Sequence, residues 1–280
     1  MPEGDTIFRA VRTLHRALAS KTVVRFRTVL THLERVNIDT PLAGRTIERV
    51  EARGKHLLIH FSGDLILRTH MRMNGSWHIY RPGGRWQRPA RDMRLMIATD
   101  DFEAVAFRVP VAEFRTAAAL ARDDVIQSLG PDLLDPEAEL EEAVRRLRDR
   151  GPMPIADALL DQRALAGVGN IFKSESLFVA GVSPFASVAS LSDHTLRTIV
   201  DTARQQLEAN THDPIEPRLA VAGGVRRTTR SGRPDRRLWV YGRAGAPCRR
   251  CHTPIALAKQ GEDARLTYYC PTCQHVTGEG

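Results

Sequence analysis

Cys248-Arg249-Arg250-Cys251, an eighteen-residue insert and Cys270-Pro271-Thr272-Cys273 form the stretch that constrains the fold of this 280-residue chain most tightly. Each CxxC makes a tight knuckle that offers two thiolates, and the insert has the length of a hairpin able to bring the knuckles together. Four thiolates complete a tetrahedral zinc site with no open position, so one Zn2+ held by Cys248, Cys251, Cys270 and Cys273 is structural rather than catalytic. His252 and His275 flank the knuckles and are not needed as ligands. The other reading of the same residues is two independent thiol or redox pairs.

Working outward, composition narrows the partner. The formal net charge is +8 and the pI about 9.8, which points to a polyanion, with nucleic acid the usual one. Arginine supplies nearly all of this charge, since the lysines are only Lys21, Lys55, Lys173 and Lys259. Arginine is the better bidentate phosphate ligand, although a GC-rich genome would also favour its codons. The first residues are acidic and no apolar run reaches membrane-spanning length, so a cytoplasmic chain without a secretory signal or anchor is expected. In that reducing compartment four cysteines bind metal more readily than they pair.

Thr6 to Ala19 reads as an amphipathic helix with Ile7, Val11, Leu14 and Leu18 on one face and Asp5 or Thr6 as its cap. Short β-patterned segments follow at Thr22–Val29, His56–Phe61, Leu65–Met71, Ser76–Tyr80, Arg94–Thr99 and Glu103–Val109, with Asp100-Asp101 as a hairpin turn. Such spacing predicts a sandwich or barrel. After about residue 125 the pattern turns helical, over Pro136–Arg150, Pro154–Asp161, Gly169–Ala180 and Asp193–Ala209. Val225–Arg250 is irregular and basic, with Arg226, Arg227, Arg230, Arg233, Arg236 and Arg237 opposed only by Asp235. That run is either a solvated face or a loop that tracks a nucleic-acid backbone. The chain is thus α+β and multidomain. An N-terminal β-sandwich domain with an N-terminal helix spans 1–125, a helical domain 126–225, and the basic loop with a C4 zinc finger 226–280.

Four further stretches carry chemistry. If Met1 is removed, Pro2 becomes a secondary amine beside the Glu3 carboxylate. Attack of that amine on a sugar C1′ gives an iminium ion that cannot lose a proton from nitrogen, an electron sink suited to β-elimination. The plainer reading is that Pro2 only promotes methionine removal. Leu165-Ala166-Gly167-Val168-Gly169-Asn170 precedes a helix, where glycines let backbone N–H groups approach an anion; alone it is equally a helix–turn–helix corner. Gly54-Lys55-His56 puts a cation at a strand entrance. Met71-Arg72-Met73-Asn74-Gly75 puts an apolar side chain on a turn tip, where it can wedge into a base stack or tuck back onto the sandwich.

Together these residues resemble the formamidopyrimidine-DNA glycosylase / endonuclease VIII family, and the resemblance covers nearly the whole chain in order. Pro2-Glu3-Gly4 looks like the family's catalytic start, and Arg53-Gly54-Lys55-His56-Leu57-Leu58 like its catalytic-lysine strand. Gly130-Pro131-Asp132-Leu133-Leu134 matches the interdomain stretch. Leu160-Asp161-Gln162 through Gly169-Asn170 looks like the helix–two-turn–helix motif, and the four cysteines look like the terminal zinc finger. Arg265, five residues before Cys270, stands where the family's phosphate-gripping arginine is expected.

The resemblance implies damaged DNA as the partner of a monomer associated with the nucleoid. DNA would lie in a basic cleft between the domains, with the damaged nucleotide flipped out and Met73, flanked by Arg72 and Asn74, filling the vacated space. Pro2 would attack C1′, and Glu3 would handle protons at the sugar. Lys55, Asn170 and Arg265 would hold phosphates, and β,δ-elimination would follow. Two departures separate this chain from its relatives. Asp5-Thr6 stands where the endonuclease VIII pattern usually continues Pro-Glu. The Asp-Pro-Arg-Arg-Phe-Gly segment of the 8-oxoguanine branch is not found, and Arg108-Val109-Pro110 does not match it. With Pro-Glu-Gly rather than Pro-Glu-Leu at the start, these favour the endonuclease VIII branch and oxidised pyrimidines. The rivals are an 8-oxoguanine/formamidopyrimidine glycosylase, a catalytically inactive DNA-binding paralogue, and a zinc-ribbon transcription or translation factor.

Overall fold

The computed structural model describes residues 2–211 and 225–274, which form two compact units. The first holds residues 2–127. Helix α1 (Gly4–Leu18) opens it, followed by β1 (Arg25–Thr28), α2 (Thr31–Asp39), β2 (Ile47–Arg53), β3 (His56–Phe61), β4 (Leu65–His70), β5 (Ser76–Tyr80), β6 (Met93–Ala98), β7 (Glu103–Phe107) and β8 (Val111–Arg115), then the short α3 (Ala117–Leu120) and α4 (Asp124–Gln127). The strands make two antiparallel four-stranded sheets, ordered β1-β6-β7-β5 and β2-β3-β4-β8. This is the expected sandwich.

Its core interleaves Leu57, Ile59 and Leu67 of one sheet with Trp77, Ile79, Leu95 and Ile97 of the other, and α1 inserts Ile7, Ala10, Leu14 and Leu18. Both sheets are covered on their outer faces as well, which is why β3, β5 and β7 are buried at every position. On one sheet Tyr80, Val105, Phe107 and Met96 pack with Trp86 from the β5–β6 connection. On the other, buried Arg68 binds Glu113 and reaches Asp123 just before α4, at 2.9 Å. A register shift between Met93 and Leu95 puts Met93 on the outer face while Leu95 and Ile97 face inward.

Two sequence-based expectations shift here. Helix α1 begins at Gly4 rather than Thr6, and its N-cap is Glu3, not Asp5 or Thr6. The Glu3 carbonyl accepts from the Thr6 and Ile7 amides at 2.9 and 3.1 Å, so the backbone closes the first turn without a side-chain cap. Strands β2 and β8 and helix α2 were not predicted.

The second unit holds residues 128–211 and 225–274. Helices α5 (Leu140–Arg148), α6 (Ile155–Ala158), α7 (Asn170–Ala180) and α8 (Asp193–Ala209) surround a core of Leu147, Leu159, Leu165, Phe172, Leu196, Ile199 and Val200. Gly130-Pro131-Asp132 lies against the turn before α7: the Gly130 amide donates to Gln162 O and the Ala166 amide to Pro131 O, both at 2.8 Å. A Cβ on Gly130 would stand 2.4 Å from the Ala164 carbonyl oxygen, so only glycine fits that approach. Strands β9 (Ala256–Gln260) and β10 (Arg265–Tyr269) form the hairpin inside the cysteine insert. The finger shares a cluster with the helices, Phe178 and Val240 packing on Cys248, Ile255 and Cys270.

Candidate active site and nucleic-acid interface

Pro2 is half-buried and Glu3 wholly buried, so the carboxylate of the residue that follows Pro2 is held out of bulk water at the head of α1. Asp5 does not offer a second free acid: it too is buried and forms an ion pair with Arg9 on its own helix at 3.4 Å. Lys55 lies in the two-residue turn joining β2 to β3, a turn made possible by Gly54 at φ 56°. In the β3–β4 register His56 faces His70, so the Lys55 turn and the Met71–Gly75 turn emerge at the same end of neighbouring strands. Within the second turn Met71 is buried, whereas Met73 is 55% exposed. The Met73 side chain therefore projects rather than tucking back, with Arg72 and Asn74 exposed on either side.

Sequence reasoning missed two histidines at this end. The rings of His56 and His70 meet edge to face, centroids 4.7 Å apart. Burial lowers both pKa values, His56 to about 3, helped by the charge of His70, and His70 to about 4, helped by Lys55. Both rings are therefore neutral at pH 7. His70 Nδ1 accepts the Arg72 amide at 3.0 Å, which leaves Nε2 as its N–H donor. The signal available in the sequence was the alternation of β4, which carries His70 to the strand end beside the Met73 turn.

In the second unit Gln162 staples the turn ahead of α7, donating to the Leu160 and Val168 carbonyls and accepting the Gly167 amide, with Gly167 at φ 98°. Asn170 then opens α7. Its Nδ2 donates to Leu266 O at 2.7 Å, while its Oδ1 is buried without a partner. One turn later Lys173, fully buried, reaches the same carbonyl at 3.4 Å and Thr267 Oγ1 at 2.9 Å. The helix start and the zinc hairpin are thereby locked together at Leu266 and Thr267, next in the chain to Arg265. Arg265 is 39% exposed, and its guanidinium is paired with Asp263 at 2.8 Å.

Midway along α7, wholly buried Glu175 accepts three consecutive backbone amides, Trp239, Val240 and Tyr241, at 2.7–2.8 Å, together with the Thr228 hydroxyl. Burial pushes its pKa up against those four donors. The residue fastens the entry to the zinc finger onto α7.

The sulfurs of Cys248, Cys251, Cys270 and Cys273 all lie within 4.8 Å of one another, with Cys248–Cys273 at 3.9 Å and Cys251–Cys270 at 3.4 Å, and none is in a disulfide. Edges of this size match a tetrahedron with bonds of about 2.3 Å, so the donor set fits one structural Zn2+. Amides of Arg250 and Cys273 point at Cys248 and Cys270 sulfur, as thiolate ligands require. His252 lies outside the sulfur group, and His275 lies outside the described residues.

The sequence matches the formamidopyrimidine-DNA glycosylase N-terminal domain over residues 1–110 and the H2TH domain of that enzyme over 129–213. It also matches the zinc finger found in FPG and IleRS over 245–276. The chain belongs to the formamidopyrimidine-DNA glycosylase / endonuclease VIII family. It is 42% identical over 277 residues to a Streptomyces coelicolor protein named "Probable endonuclease 8 2", covering 98% of this chain and 94% of that one. It is 38% identical over 274 residues to the Mycolicibacterium smegmatis "DNA-(apurinic or apyrimidinic site) lyase Nei2", covering 98% and 99%. Escherichia coli endonuclease 8 is 33% identical over 283 residues, with 98% and 100% covered. Among solved structures, a Lactococcus lactis Fpg in complex with DNA containing an abasic site shares the fold, with a TM-score of 0.80 at 22% identity over 98% of this chain and all of that one.

Proposed function

We infer that this family member is a bifunctional DNA glycosylase and abasic-site lyase of base excision repair, with oxidised pyrimidines as its preferred lesions. The observation that carries the reading is Pro2 placed directly ahead of the buried Glu3 at the head of α1. The glycosylase and lyase activity itself agrees with the names of the relatives. In the proposed reaction the Pro2 nitrogen, freed by loss of Met1, forms a bond to C1′ as the C1′–base bond breaks and the base leaves protonated. Glu3 moves the protons at the sugar, a task suited to a carboxylate shielded from water. The Pro2 N–H proton is lost, the C1′–O4′ bond then opens as O4′ takes a proton, and the resulting iminium acidifies C2′–H, so the 3′ and then the 5′ phosphate leave by β- and δ-elimination. Lys55, Asn170 and Arg265 hold phosphates, and Met73 with Arg72 and Asn74 occupies the space left by the flipped nucleotide.

The lesion preference rests on the β7–β8 connection. It is only Arg108-Val109-Pro110, and Arg108 is tied to Asp92 at 2.9 Å, so no long loop is available to fill the void opposite a flipped purine. No helix among the described residues is long and apolar enough to cross a membrane. A monomer acting on DNA in the cytoplasm follows from the same reading. An incision panel tests the preference: thymine glycol and dihydrouracil should be cut faster than 8-oxoguanine in the same duplex. Faster cutting of 8-oxoguanine contradicts it.

A further inference from the structure

Between the C-terminal half of α8, the 227–231 loop and the first zinc knuckle lies a cavity of about 900 Å3. Arg227, Arg230, Arg236, Arg243, Arg249 and Arg250 line it, and among the described residues no Asp or Glu does. Four of these arginines are held in place by main-chain carbonyls rather than by carboxylates. Arg227 donates to Gly232 O, Arg243 to Trp239 O and Pro247 O, Arg249 to Leu238 O and Asp235 O, and Arg250 to Phe178 O and Val179 O. Among the described residues none of the six has an ion-pair partner; the nearby Asp235 is paired with Arg233. Each guanidinium has five donors, so several N–H groups per arginine remain for a ligand while the fold fixes the forks.

This cavity is separate from the phosphate-binding end of the unit. Val179, on its wall, follows Asn170 by nine residues on α7, about 14 Å along the helix axis at 1.5 Å per residue. The cavity is also shaped and equipped for something other than DNA. A duplex is a convex rod that cannot enter it. A single strand needs an open aromatic platform, whereas Trp239 is flanked by Phe178 at 5.5 Å and by the Arg250 guanidinium at 5.4 Å. One further group points to the occupant. Gln206 is 7% exposed, lines the cavity, and has a buried Oε1 that accepts from nothing. Such an atom calls for a donor. A phosphate offers only acceptors; a peptide offers both carboxylates and backbone N–H groups.

We propose that this arginine-lined cavity is a docking site for an acidic peptide segment of a partner protein, its carboxylates on the arginine forks and a backbone N–H on Gln206 Oε1. The inference does not depend on the lesion or the nucleophile, because its readout is binding rather than incision.

The test uses the full zinc-loaded protein and a fluorescein-labelled hexapeptide of alternating aspartate and leucine, with an asparagine–leucine control, followed by anisotropy at low salt. The aspartate peptide should bind saturably and the control should not. Arg230→Glu with Arg236→Glu, two exposed loop positions, should weaken the peptide by about tenfold or more while the melting temperature and zinc content stay unchanged. Gln206→Leu should weaken the peptide but not inorganic tripolyphosphate. The proposal is overturned if the peptide does not bind, if charge reversal leaves its affinity unchanged, or if tripolyphosphate or undamaged duplex takes the site with equal dependence on Gln206.

Discussion

Arg265 is assigned to grip a phosphate, yet in this structure its guanidinium is engaged by Asp263, two residues earlier in the β9–β10 turn. DNA must compete with that pair. Its cost is bounded by its setting, since the two side chains are 39% and 72% exposed, and exposed pairs of this kind contribute at most about 1 kcal/mol. Asp263→Asn should therefore tighten binding to a duplex carrying a tetrahydrofuran abasic analogue by up to about fivefold. Removing any acid from a DNA-binding surface also raises affinity through net charge, so Glu262→Gln is the matched control. Glu262 adjoins Asp263 in the same turn, whereas the Arg265 guanidinium is bound by Asp263. Arg265→Ala should lose a charge-assisted contact of about 1.5–3 kcal/mol, and in that background Asp263→Asn should gain no more than Glu262→Gln does. Titration by anisotropy at two salt concentrations reads all of these. The reasoning is refuted if Asp263→Asn tightens binding no more than Glu262→Gln in the wild-type background, or if its advantage persists without Arg265.

Three further outcomes are expected. Glu175→Ala takes the acceptor from three backbone amides, each costing about 1–3 kcal/mol where it is left unsatisfied, so urea unfolding of the zinc-loaded protein should show a loss of up to about 3–9 kcal/mol; a loss below about 1 kcal/mol contradicts the role given to Glu175. Lowering pH from 6.5 should destabilise the N-terminal unit. An unfolded histidine takes a proton near 6.5, whereas His56 and His70 resist protonation down to about 3 and 4, so folding then opposes proton uptake. At pH 5 the loss is about 2 kcal/mol for each ring, and replacing both with glutamine should flatten the pH profile of the melting temperature. Removing zinc with a chelator should abolish abasic-DNA binding, because the hairpin that presents Arg265 loses its anchor, while the β-sandwich melts as before. Retained affinity in verified metal-free protein would contradict the structural role of the ion.

Much of this architecture was legible from local pattern. The cysteine spacing located the hairpin and the metal cluster, and β3 and β5 begin and end where alternation and turn residues placed them. What escaped had physical reasons. Strand β2, Ile-Glu-Arg-Val-Glu-Ala-Arg, carries charge at four of its seven positions and shifts register between Ile47 and Arg49, so neither alternation nor apolarity marks it. Helix α2 buries only Leu33, too little apolar surface to impose a helical period. The start of α1 was misplaced because the closing bonds come from the Glu3 backbone, which no side-chain signature announces. At the site, the residue types named from sequence did lie at strand ends and at a helix start. The sequence alone carried no sign of their tethers: Asp263 on Arg265, Lys173 and Asn170 on one carbonyl, Glu175 on three amides. Each joins residues through tertiary proximity or a turn geometry that spacing does not encode.

The central claim is that the Pro2 nitrogen becomes covalently joined to the sugar. Borohydride trapping on a duplex with an abasic site, using protein whose N-terminus has been established by mass spectrometry, tests it most directly. A stable protein–DNA adduct whose modified peptide maps to Pro2 is the predicted result. An adduct at Lys55 or any other lysine, or none from zinc-loaded protein that begins at Pro2, would contradict the account.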